Sequence, residues 1–214
     1  MLLRSERRRD MLGLPSTTEL HKPLSKAAIY AKFNLTNAIR EKYDQDISRI
    51  YIENEVSERT VHIAPGEHVT AFFVLLVQMK RADYDKKILE RLSKLIPQNV
   101  LMQVVYNELT SLAVYEGGVL MVTEPRGVAS IELPMIASNL DQLWTNVVSY
   151  IGNFKVAEGD SLLETIGQNE EIRKIKSKIE LLKKQAFKET QTRRKWELMS
   201  EAKQLEKKLK ETFI

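Results

Sequence analysis

Residues 69–80 read VTAFFVLLVQMK, a run that is apolar from Ala71 to Val77 and closes on Gln78, Met79 and Lys80. A strand with one wet face alternates apolar and polar residues, whereas a strand covered on both faces is apolar throughout. The lack of alternation predicts a central strand, and the elements around it decide the fold. Downstream, the stretch 83–96 carries Ile88, Leu89, Leu92, Leu95 and Ile96 on one face and Lys86, Lys87, Glu90, Arg91 and Lys94 on the other. That spacing is helical, and Pro97 ends it. NVLMQVVYN at 99–107 is again a strand, so 69–107 reads as strand, helix, strand.

Toward the N-terminus, ISRIYIENEV at 47–56 suits a half-buried strand and TVHI at 60–63 a second short one. Ala64-Pro65-Gly66 is a turn, residues 26–43 are a helix started by Ser25, and 12–24 hold two Pro and read as an extended lead-in. Beyond residue 107, SLAVYEG (111–117), VLMVTEP and GVASIELP (127–134) are further strands, the first two joined at Gly117-Gly118. Asn139 caps a helix that turns Leu140, Leu143, Trp144, Val147, Val148 and Ile151 inward. The order α-β-β-β-α-β-β-β-β-α predicts an α+β fold, a single mixed-sheet domain with flanking helices over residues 12–153. Residues 1–11 are a basic N-terminal extension and 154–167 a linker.

Residues 168–214 read as helical throughout, with Gly167 the last glycine and no proline after Leu162. Ile172, Ile175, Ile179 and Leu182 recur at coiled-coil spacing, and Trp196, Met199, Leu205 and Leu209 resume the stripe after the polar break KETQTRRK. A helical hairpin bent near 188–192 fits, and so does one coiled-coil rod, which over 47 residues would reach about 70 Å. An apolar stripe on an isolated helix must find a partner. These eight residues are therefore the expected association seam, for a protein partner or for a second copy.

Charge is uneven along the chain. Four Arg face two acids in residues 1–11; residues 12–167 carry 15 basic and 19 acidic side chains, and residues 168–214 carry 14 and 8. Nucleic-acid affinity should therefore live in the tail, at Lys183, Lys184, Lys188, Arg193, Arg194 and Lys195. Against it stand Glu180, Glu189, Glu197 and Glu201, interleaved as on a solvated helix face. The chain has no Cys, which removes disulfides, thiolate metal sites and a Cys nucleophile. Three scattered His, and no Walker or dinucleotide-binding glycine pattern, lead us to expect no metal and no cofactor. The charged start lacks a signal-peptide core and no apolar stretch is long enough to span a bilayer, so a cytoplasmic protein without a membrane partner is expected.

Gln78-Met79-Lys80 resembles the end of the catalytic strand in PD-(D/E)XK nucleases, where carboxylates hold Mg²⁺ and a Lys steadies the attacking water. The order helix, three strands, helix, strand is that core's order. Glu67 is the close acidic candidate, with Glu41 and Glu53 available from neighbouring elements, but Gln78 stands where a carboxylate is needed. Much of the chain also resembles the bacterial and phage domain-of-unknown-function family 4391. The likeness runs through LPSTTELHKPLSKAAIYAKF (14–33), LLVQMKRADYDKKILERLSKLIPQNVLMQVVY (75–106) and ETQTRRKWELMSEAKQLEKKL (189–209). The family's opening resembles Met11-Leu12-Gly13-Leu14-Pro15, which leaves Met1 or Met11 as the start. The resemblance brings no catalytic residues and implies a context, beside DNA methyltransferases and helicases of restriction-like phage-defence islands. The sequence thus points to a non-enzymatic accessory or interaction subunit of such enzymes. The alternatives are a divergent Mg²⁺-dependent nuclease using Glu67, Gln78 and Lys80, or a DNA-binding module using the tail.

Overall fold

The apolar run becomes β3 (Ala71–Met79), third in line in a seven-stranded mixed sheet. The structure is a computed structural model and describes residues 12–127, 131–157 and 159–213. Across the sheet the strands follow chain order: β1 (Glu19–Leu24), β2 (Ile47–Ser57), β3, β4 (Asn99–Tyr106), β5 (Leu109–Glu116) and β6 (Val119–Val122). A two-residue β7 (Arg126–Gly127) also pairs with β5. The accompanying helices are α1 (Lys26–Lys32), α2 (Asn37–Asp46), α3 (Glu58–Val61), α4 (Lys87–Leu92) and α5 (Leu140–Gly152). β3 and β4 are parallel, from Phe72 opposite Asn99 to Gln78 opposite Val105, and α4 lies in the crossover that a parallel pair requires. The other neighbours are antiparallel.

Side chains of β3 point alternately to two covered faces. Leu75, Val77 and Met79 pack in one cluster with Ile29 of α1, Tyr43 of α2 and Ile88, Leu89 and Leu92 of α4. Phe72 points to the opposite face and meets Trp144 of α5, ring centroids 5.3 Å apart. Each such side chain fully removed from water contributes about 1.5–3 kcal/mol, so the double cover is what a non-alternating strand demands. Helix α5 starts as its sequence signals, with the Asn139 side chain accepting from the Gln142 N–H at 2.9 Å. The β5–β6 hairpin turns on Gly117 and Gly118, both at positive φ, as a two-residue turn matched to strand twist requires.

Several local expectations are corrected. The lead-in over 12–24 supplies β1, and Pro23 is tolerated in it because β1 is the sheet edge and needs no ladder on its outer side. TVHI is not a strand: Ser57 and Thr60 form a capping box around the single turn α3, and His62 at φ 56° ends it. The helix expected over 26–43 is broken between α1 and α2, with Asn34 left-handed at φ 47°. The helix expected over 83–96 keeps only Lys87–Leu92. Of GVASIELP, Gly127 joins β7, residues 128–130 lie outside the described residues, and Ile131–Pro134 forms no ladder, although Leu133 N–H donates to the Leu12 carbonyl at 3.1 Å. Only two strands therefore separate α2 from α4, and the helix, three strands, helix order is not met.

Residues up to Lys155 form one compact unit and those from Val156 a second. In the second, α6 (Leu162–Lys188) takes in part of the segment read as a linker, and α7 (Thr192–Phe213) follows after three residues. The two helices pack as a hairpin rather than running on as one rod: Ile179, Leu182 and Ala202 are buried together, with Ile175, Leu198 and Leu205 against them. Lys178–Glu201 at 2.8 Å and Lys183–Glu206 at 2.6 Å cross between the helices. No helix among the described residues is long and apolar enough to cross a membrane.

One carboxylate closes the approach to β3. Asp141, in the first turn of α5, accepts from the N–H groups of Glu67 at 2.8 Å, His68 at 3.1 Å and Val69 at 2.6 Å. A Cβ on Gly66 would come within 2.2 Å of that carboxylate, so this position stays Gly. Burial opposes the charge on Asp141, but the three donors outweigh it and lower its pKa below the ordinary 3.8. A depressed folded pKa means stability present above the unfolded value and lost as pH falls through the folded one. Asp141→Ala should therefore cost about 1–2 kcal/mol at neutral pH, with the difference from the wild type shrinking below about pH 4; urea unfolding at pH 7 and pH 3 measures both.

Candidate functional site

The site that the sequence singles out is the end of β3, and its geometry follows from the ladder. Because β2 runs antiparallel to β3, the start of one lies beside the end of the other: Ile47 opposes Met79 and Arg49 opposes Gln78. Asp46, last residue of α2, is thereby brought next to Lys80, whose N–H donates to the Asp46 carbonyl at 2.8 Å. Lys80 is exposed, and its ammonium donates to the Asp44 carbonyl. Glu67 lies before the other end of β3, which at about 3.3 Å per residue is some 30 Å away along the strand. The structure thus brings Gln78 and Lys80 to one strand end and leaves Glu67 outside.

The acid beside Lys80 is Asp46, which the sequence reading did not single out. Its signal was available: an acid directly before a strand that pairs antiparallel with the Gln-x-Lys strand. Asp46 has no exposed surface, and neither oxygen is idle. Oδ1 lies 2.5 Å from Arg81 Nε, a charge contact and not an aligned hydrogen bond, and Oδ2 accepts from the Asp85 N–H at 3.0 Å. Nearby, the Asp44 carboxylate accepts from the Tyr30 hydroxyl at 2.8 Å and from Lys26 at 3.1 Å. The Tyr30 bond is the main reason its pKa is lowered. Burial, followed by the same bond, raises that of Tyr30. These carboxylates already have donors and cations. Among the described residues no three His, Asp or Glu side chains converge in a way that could hold a metal ion. Glu53 is likewise engaged, by His21 Nδ1 at 2.9 Å on the β1–β2 edge.

The tail residues divide by the hairpin. Of the seam, Ile179 and Leu182 are buried, Ile172, Ile175, Met199, Leu205 and Leu209 are half-buried, and Trp196 is exposed. Trp196 lies about two and a half turns before Leu205 in α7, so the two project from opposite sides of the helix, and it is the Leu205 side that meets α6. Phe187, one residue before the end of α6, is also exposed. Of the basic set, Lys183 pairs with Glu206 (2.6 Å), Arg193 with Glu197 (3.3 Å) and Arg194 with Glu189 (3.6 Å). Lys184, Lys188 and Lys195 have no carboxylate within ion-pair distance among the described residues.

A mixed-sheet α+β domain with a C-terminal helical hairpin is thus the class of protein that these elements define. The chain belongs to the family described as domain of unknown function DUF4391, whose model matches residues 12–209. No curated protein and no solved structure matches it.

The two readings of the strand end differ in a measurable way. Catalytic carboxylates are commonly held at a cost to stability, so their removal is neutral or stabilising. Removing a buried carboxylate that holds a backbone donor instead costs about 1–3 kcal/mol, because the Asp85 N–H loses its acceptor while the half-exposed Arg81 stays solvated. Asp46→Ala should show the second behaviour in denaturant unfolding, while the exposed Lys80→Ala changes stability by less than about 1 kcal/mol.

Proposed function

We propose that this protein is a cytoplasmic, non-enzymatic accessory subunit whose helical hairpin docks onto an acidic surface of a DNA-handling enzyme. The partner we have in mind is a helicase or DNA methyltransferase of a restriction-like phage-defence system. The observation that carries the reading is the exposure of Phe187 and Trp196, 86% and 70%, close to the bend of a hairpin whose two helices already bury Ile179, Leu182 and Ala202 against each other. Large exposed aromatics cost solubility, and Trp is prominent among the residues that dominate protein interfaces. Lys184, Lys188 and Lys195 beside them supply the charge that an acidic protein surface complements. At the strand end, a Lys80 ammonium on a backbone carbonyl and an Asp46 already matched by Arg81 favour a structural role over metal-assisted hydrolysis.

DNA binding by the same hairpin is the second reading, favoured by those three unpaired Lys. It is weakened by the carboxylates that neutralise Lys183, Arg193 and Arg194 from within the hairpin. Co-expression with a helicase and a DNA methyltransferase of such a system, followed by affinity measurement, tests the first. Phe187→Ala with Trp196→Ala should weaken the complex by about 30-fold or more and leave the thermal midpoint in place, since both side chains are exposed. Wild-type affinity in the double variant sinks the docking reading. A dimer in light scattering that the same variants dissolve would make the partner a second copy. Duplex binding that falls steeply with salt and is lost on neutralising Lys184, Lys188 and Lys195 would make it DNA.

A further inference from the structure

Helix α4 begins only at Lys87, so the sheet face beyond its start is bordered by the loop 82–86 instead of a helix. Beside that loop, at the carboxyl ends of the parallel strands β3 and β4, lies a pocket of about 220 Å³. One water needs about 10–15 Å³ on such a measure, and open sheets bind their ligands outside the carboxyl ends of parallel strands. The floor is Val104, Ser111 and Val122, with Val104 and Ser111 directly opposed across the β4–β5 ladder. One wall comes from a bulge. Ala113 opposes Val122 and Thr110 opposes Arg126, so the three residues 123–125 face two, Ser111 and Leu112. The Leu112 N–H donates to Thr123 Oγ1 at 2.9 Å, and the displaced Glu124 and Pro125 line the pocket.

Ser111 is the observation that points to an occupant. It is 7% exposed, and among the described residues its hydroxyl has no hydrogen-bond partner. The neighbouring Thr110 oxygen also lacks a partner but is wholly enclosed, whereas the Ser111 hydroxyl keeps accessible surface at the pocket floor. A hydroxyl set among valines is unfavourable unless something bonds to it. Its partner therefore comes from what fills the pocket.

The rest of the lining sets the chemistry of that occupant. Two half-buried rings, Tyr84 and Tyr106, continue the apolar floor and suit an aromatic body. Asp83 and Glu124 are exposed, and neither has a cation within ion-pair distance among the described residues. Lys86, also unpaired, is the one cation among the lining residues described. Two acids against one cation favour a positive group on the ligand, and the tyrosine faces add attraction for an ammonium. We propose that this pocket binds a small aromatic amine. Its ring lies against the tyrosines and valines, its ammonium faces Asp83 and Glu124, and a hydrogen-bonding substituent of the ring meets Ser111 Oγ. The source is a free amine or an α-amino acid, whose carboxylate has Lys86 as its cation. The proposal is independent of the docking role of the hairpin.

Tyramine carries ring, hydroxyl and ammonium; phenethylamine lacks the hydroxyl, and tyrosol has an alcohol in place of the amine. Titration of the full chain with each at constant ionic strength, followed by amide NMR, tests the proposal. Tyramine should give saturable shifts around residues 82–86, 104–111 and 122–125, and bind about three- to tenfold more tightly than either analogue. Ser111→Ala should make tyramine and phenethylamine equal without lowering the thermal midpoint, since an unpartnered hydroxyl stabilises nothing. Asp83→Asn combined with Glu124→Gln, both exposed, should bring tyramine down to the level of tyrosol. Non-saturable shifts, tyrosol binding as well as tyramine, or a tyramine preference that survives Ser111→Ala overturn the proposal. A lowered midpoint in Ser111→Ala also overturns it, because the hydroxyl is then bonded within the chain. Phenylalanine that binds more tightly than phenethylamine, and loses the gain in Lys86→Ala, identifies an amino acid as the source; the reverse order identifies a free amine.

Discussion

A carboxylate with no exposed surface must be matched by charge and hydrogen bonds, because burying it unmatched costs several kcal/mol. Asp46 is such a group, and the way it is matched ties together the centre of the fold. It ends α2 and begins β2; its carbonyl holds the last turn of chain leaving β3, and its side chain holds Arg81 and the Asp85 N–H. The loop between β3 and α4 is thereby fixed at its start and at its end. That loop sets where α4 enters, and α4 determines that β4 returns parallel to β3 with its apolar face covered.

The same constraint explains why a structural site here has the outline of a nuclease site. In any antiparallel pair, residues preceding the second-to-last strand lie beside residues following the last one. An acid before β2 and a Lys after β3 must therefore meet. What separates chemistry from architecture is whether the carboxylates keep oxygens free for a metal and its water. Here both oxygens of Asp46 already face a donor or a cation, and Lys80 is turned to the carbonyl of Asp44 rather than into a cleft.

Signals that act over a few residues were legible in the sequence, and those set by distant pairing were not. The apolar run of β3, the Asn139 cap and the Gly117-Gly118 turn each carry their structure locally. β1 was missed because an exposed edge strand containing Pro23 has neither an apolar face nor a full ladder; only β2 makes it a strand. α3 was missed because one turn is too short to show a period, and it exists through the bond between Ser57 and Thr60. The role of Asp46 was legible only in part: its place directly before a strand is local, but its partners Arg81 and Asp85 are more than thirty residues away, and only the β2–β3 register connects them. In the tail, spacing found the apolar residues of both helices, but three successive steps of three from Trp196 to Leu205 drift halfway round a 3.6-residue helix. The side that carries Leu198, Ala202 and Leu205 packs on α6, which leaves Trp196 on the surface.

The exposure of Trp196 bears on what kind of contact the hairpin can make. Ile179, Leu182 and Ala202 are engaged within the hairpin, so the large apolar side chains left exposed nearest the bend are Phe187 and Trp196, with Leu181 farther along α6. Two aromatic side chains offer about 300–500 Å² between them, against about 1,000–2,500 Å² per partner, some two-thirds of it apolar, in an obligate interface. Apolar area at the bend therefore falls short of what a permanent complex needs. The unpaired Lys nearby then matter for the rate of encounter and the choice of partner more than for residence time. A hairpin built this way suits a contact that forms and dissolves readily, and a long-lived assembly would have to recruit surface beyond the bend.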